Sequence, residues 1–139
     1  MFDIHPILVH FPIALTVVGL GLELFRVFCR KTETKLQSGE LLLYIAAVSA
    51  VFALLSGFLF TSTLAGKPLE VRNTHMLLAI FATCALSLAS LFYLLDRFGK
   101  QNKSVFLSLG LTLYVMAAIL MGAAGHMGGT LVYTYMIGL

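Results

Sequence analysis

The sequence predicts an all-α integral membrane protein: a four-helix bundle with both termini on the periplasmic, outer side and a short C-terminal interfacial segment. Three observations predict it. Of 139 residues, 60% are hydrophobic and 11% charged, against about 45–50% and about 25% in an ordinary soluble domain; mean hydropathy is +0.99. Four apolar segments are each roughly 20 residues long, the length at which a helix crosses about 30 Å of hydrocarbon. The basic residues divide unequally between the connecting segments. A helix satisfies its own backbone hydrogen bonds, which lipid cannot do. One four-span transmembrane domain, residues 1–139, then accounts for the chain and leaves no room for a separate soluble domain.

In chain order, the spans fall at about residues 7–28, 41–62, 75–95 and 104–125. Breakers separate them: Gly39, then Gly66-Lys67-Pro68, then Gly99 and Asn102. Pro6 and Pro12 lie in the first turns of the first span, where a missing N–H costs little; Pro12 is the deeper and is expected to kink the entry. The N-terminus reads MFDIHP without a basic n-region, so no cleaved signal peptide is expected and Met1 remains. Arg26, Arg30, Lys31 and Lys35 surround the first loop, and Arg97, Lys100 and Lys103 the third; the second has only Lys67 and Arg72. By the positive-inside rule, seven against two puts the first and third loops in the cytoplasm and the termini outside. In a bacterium this is the inner (plasma) membrane, with the termini in the periplasm or cell exterior. The net charge of +3 follows this topology and does not indicate nucleic acid.

All four histidines then share one side. His5 and His10 open the first span, His75 opens the third, and His126 closes the fourth. Ionisable groups at membrane depth are costly and usually have a partner or a task, and imidazole is the commonest metal ligand. Small residues run along the helices beneath them: His75, Ala79, Ala82, Leu86 and Ala89; His126, Gly122 and Ala118; His10, Ala14, Val17 and Gly21. The second span has Ala46, Ala50, Ala53 and Gly57. Such stripes allow close helix packing and leave room beside a histidine for a flat cofactor. Glu23 and Arg26 are three apart and read as a structural pair. Cys29 and Cys84 fall at different depths and cannot form a disulfide within the bundle. The chain has no CxxCH or CxxC motif, no nucleophile–base–acid set and no phosphate-cradling loop. Gly128 and Gly129 are expected to end the last helix. The apolar segment after them, with Tyr133 and Tyr135, would lie at the interface or fold back over the histidines.

Two motifs carry a resemblance. His5-Pro6-Ile7-Leu8-Val9-His10-Phe11-Pro12-Ile13-Ala14-Leu15 looks like HPxxVHFPIAL, and Gly125-His126-Met127-Gly128-Gly129-Thr130-Leu131-Val132-Tyr133 looks like GHxGGxLVY. Together they resemble domain-of-unknown-function family 2231, small bacterial four-span membrane proteins, over the whole chain. That family commonly has a histidine two residues after the LVY tyrosine and then a glycine; here Tyr135 and Met136 stand there. Its members occur fused to electron-transfer modules such as cytochrome c or Rieske-type domains, so the resemblance implies redox work.

The expected function is therefore a membrane redox protein that binds haem b for electron transfer, more an electron-transfer or binding protein than an enzyme. Haem needs one or two axial imidazoles and an apolar pocket, which facing helices of a bundle provide. His10 and His75 are the favoured pair, with His126 the competitor for either place. The alternative is a zinc, copper or iron site built from His5, His10, His75 and His126, with Asp3 as a further oxygen donor. A third reading is a non-catalytic assembly subunit. Expected partners are the lipid bilayer, periplasmic or membrane redox proteins or a quinone, and further copies of the chain.

Overall fold

The computed structural model describes residues 5–29, 38–59, 64–99 and 103–137. Asp3 and the loop residues Arg30, Lys31, Lys35, Lys100 and Asn102 lie outside them, as does the expected end of the second span at residue 62. The described residues form five helical elements and no strand. These are α1 (His5–Leu8), α2 (His10–Cys29), α3 (Ser38–Leu59), α4 (Lys67–Phe98) and α5 (Lys103–Tyr135). α1 and α2 are one span interrupted at Val9, so four helices are long and apolar enough to cross a membrane. The interruption has a local cause. Pro12 has no N–H for the carbonyl of Leu8, and its ring crowds that turn. The kink expected at the entry is thus present, and it sets the His5 turn against α3.

The helices run up and down. Gly39 at the start of α3 packs on Glu23 near the end of α2, and Gly57 near the end of α3 packs on His5. Gly110 near the start of α5 packs on Tyr93 near the end of α4. α2 also contacts α5, which closes the bundle. The core consists largely of alanines, including Ala46, Ala50, Ala82, Ala89 and Ala117, with Leu43, Leu86, Tyr93 and Tyr114 between them. Association inside lipid is driven by close van der Waals packing, and small side chains permit it. Large apolar side chains point away from that core, among them Phe25, Phe52, Phe58, Phe81 and Ile119. This outward apolar surface suits acyl chains as solvent.

Two expected boundaries move. α4 begins at Lys67, so His75 sits eight residues inside the helix. Pro68 is accepted at the helix start, and the polar first turns need not lie in hydrocarbon. Gly128 and Gly129 do not end α5, which continues to Tyr135. The helix stops at Met136, whose φ of 54° is left-handed, and the Ile137 N–H closes on the Leu131 carbonyl at 3.1 Å.

Two of the four expected stripes face the core. Ala82, Leu86 and Ala89 on α4 are buried, as are Ala46, Ala50 and Ala53 on α3. The α2 stripe His10, Ala14, Val17 and Gly21 faces outward. The buried face of α2 is instead Pro12, Thr16, Gly19 and Glu23. On α5, His126 and Gly122 are exposed, while Tyr114, Ala117, Met121 and Ala124 are buried. On these two helices the histidine does not mark the inner face.

Candidate functional site: a cavity with two imidazoles

The histidine end of the bundle holds a partly open cavity of about 730 Å³, within the roughly 300–1,000 Å³ of sites for cofactors and other small molecules. Pro12 and Ile13 form part of its wall with Ala53, Met76, Met121 and Leu131, while Arg72 and Tyr133 add polar groups. His5 and His75 meet inside it. Their ring centroids are 6.2 Å apart and their planes cross at 79°.

Each ring is held from behind. His75 Nδ1 is 2.8 Å from the Ala124 carbonyl oxygen. A carbonyl only accepts, so Nδ1 carries the proton and the neutral ring has its lone pair on Nε2. His5 Nδ1 is 2.8 Å from Ser56 Oγ. The Ser56 hydroxyl donates to the Ala53 carbonyl at 2.7 Å, so its oxygen accepts from His5, which takes the same tautomer. Hydrogen bonding at one ring nitrogen to orient the other is the usual support for a ligating imidazole. Glycines make the space. A Cβ on Gly57 would lie 3.0 Å from His5 Cε1, and one on Gly128 would lie 3.2 Å from His75 Cε1. Gly128 thus admits a ring inside a continuous helix.

The other two histidines are placed differently. His10 is exposed and also lines the cavity; its Nδ1 donates to the Pro6 carbonyl at 2.6 Å. His126 is exposed and does not line the cavity. The structure therefore puts the His5 and His75 rings in contact, with His10 lining the same cavity and His126 outside it. Among the described residues, no three or more of His, Cys, Asp and Glu converge as a metal site. Ser56 and the two glycines carry a sequence signal only in position: Ser56 continues the Ala46–Ala50–Ala53 face by one more step.

A second polar group lies at the opposite end. Glu23 is fully buried and accepts from Arg26 Nε at 3.1 Å, Arg26 Nη2 at 2.5 Å and the Tyr93 hydroxyl at 2.8 Å. Glu40 accepts from Tyr44 at 2.6 Å and from Arg97 at 3.2 Å. The Glu23–Arg26 pair is as the i, i+3 spacing suggests. Tyr93 is the addition, and it lies one turn beyond Ala89 on the inner stripe of α4.

Four apolar helices packed as a bundle around small residues, with imidazoles in a cavity at one end, define a multi-pass membrane protein. Residues 2–139 match the family described as "Predicted membrane protein (DUF2231)", and the chain belongs to that family. No curated protein and no solved structure matches it.

Proposed function

We propose that this cavity binds haem b, with His75 and His5 as axial ligands, and that the protein transfers electrons at the outer face of a bacterial inner membrane. The observation that carries the reading is the tautomer of the two rings: each donates from Nδ1 to an oxygen behind it and has its lone pair on Nε2. Two imidazoles are too few for a closed tetrahedral zinc site, which takes four protein ligands. They are enough for haem, whose macrocycle provides the in-plane nitrogens. Bound haem would supply a one-electron couple. His75 and His5 would hold it, the apolar wall would exclude water, and Arg72 on the same wall matches the charge of a propionate. A periplasmic or membrane redox protein, or a quinone, would be the electron partner.

The test is the visible spectrum of the purified protein after expression with ample haem. The expected result is a sharp α band on reduction. His75→Ala or His5→Ala should abolish it or convert it to a high-spin form, and His126→Ala should leave it unchanged. Stoichiometric zinc or copper without haem absorption would replace this reading with an ion site. Neither chromophore nor metal would leave an assembly subunit.

A further inference from the structure

The inner face of α2 carries polar groups in a line. Pro12 forms part of the cavity wall. Thr16 is one turn further in, Gly19 follows, and Glu23 is next; all are buried. The Tyr114 hydroxyl of α5 fills the space at Gly19, where a methyl group would overlap it. This hydroxyl therefore sits between Thr16 and Glu23 along the helix. Tyr114 and Thr16 are both fully buried, and neither Tyr114 Oη nor Thr16 Oγ1 has a hydrogen-bond partner among the described residues. Buried hydroxyls without partners are rare, and a polar internal site of this kind is where a protein holds water. Beyond Glu23 comes Arg26, whose side chain is 23% exposed and so reaches the surface at the far end.

We infer that Thr16, Tyr114 and Glu23, joined by internal water, form a proton path from the charged end of the bundle to the histidine cavity. Arg26 closes the path when paired with Glu23 and opens it by swinging toward solvent. A proton from the aqueous side then adds to the Glu23 carboxylate. Glu23 passes a proton to a neighbouring water. The Tyr114 hydroxyl accepts one on its oxygen as it releases its own, Thr16 does the same, and one proton emerges in the cavity. Every O–H bond broken is matched by one formed, Glu23 returns to its ionised form, and no electron moves. The path does not depend on what fills the cavity.

The test uses the full chain in phosphatidylcholine vesicles, with a pH-sensitive dye inside and a potassium diffusion potential imposed by valinomycin. Wild-type vesicles are expected to take up protons faster than protein-free ones. Glu23→Gln, Tyr114→Phe and Thr16→Val should each return the rate to the protein-free level. Glu23→Gln disturbs an ion pair, so the other two variants decide. They remove hydroxyls that bond to no protein atom among the described residues, and the fold should tolerate them. Equal uptake by wild-type and empty vesicles overturns the path, and so does full uptake by Tyr114→Phe. Stability in detergent offers a second readout. A dry, unbonded hydroxyl is a liability, so a rise in stability on Tyr114→Phe also refutes the path; a fall is the result expected when water bonds there.

Discussion

Arg26 and Arg97 both face a buried carboxylate, but they are not equivalent. Glu23 has no exposed surface and makes a two-pronged pair with Arg26, whereas the Arg97 side chain is 36% exposed and makes a single contact with Glu40. Removing one partner of a buried pair leaves an uncompensated charge and costs about 3–5 kcal/mol; both carboxylates are buried, but Glu23 loses two bonds with Arg26 where Glu40 loses one with Arg97, and each keeps one tyrosine hydroxyl. Arg26→Ala should therefore lower unfolding stability in mixed micelles by more than Arg97→Ala does. Equal losses would mean that Glu23 has another source of compensation. At this scale the sequence shows which residue types matter better than which of them meet. His5 and His10 both precede prolines by one or two residues. The helix interruption at Val9, where Pro12 cannot donate to the Leu8 carbonyl, separates them: His5 turns onto Ser56 while His10 bonds back to Pro6 and faces outward.

Among the elements, the crossing of α2 and α3 is set by two glycines. A Cβ on Gly39 would lie 2.8 Å from both the Glu23 nitrogen and the Gly19 oxygen, which are backbone atoms and cannot rotate aside. Gly39→Ala should force the helices apart and cost about 1–3 kcal/mol, as overpacking does. Gly21→Ala, on the same helix pair, meets nothing within 4 Å. There the alanine should be neutral or should gain up to about 1 kcal/mol from helix propensity. Thermal unfolding in detergent of the two variants side by side separates packing from propensity. Hydropathy revealed the four helices because lipid imposes a length on them. It did not reveal their ends. Gly128-Gly129 reads as a stop, yet in α5 the first of these glycines makes room for the His75 ring, a contact 53 residues away in the chain that no local rule contains.

For the whole molecule, the fold places the start of α2 and the end of α5 at one end of the bundle, and from the seven-to-two division of basic residues the positive-inside rule predicts that this end faces outward. Alkaline phosphatase fused after the C-terminus should be active, and a cytoplasm-dependent reporter silent; the opposite pattern reverses the orientation but not the bundle. The four-span architecture was legible because it follows from composition and period. The cavity was legible only as a tendency of histidines to share one end, since which faces turn inward depends on packing between helices. The two imidazole bonds also join helices at that end, α1 to α3 through Ser56 and α4 to α5 through Ala124. Both are donated from Nδ1, and acid adds its proton at Nε2, so an imidazolium keeps the same donor and the bond becomes charge-assisted. Protonation at Nε2 would thus displace a ligand from that nitrogen without loosening the helices that frame the cavity. Emptying and refilling should trace one curve in both directions, without hysteresis, because the vessel keeps its shape while its contents leave.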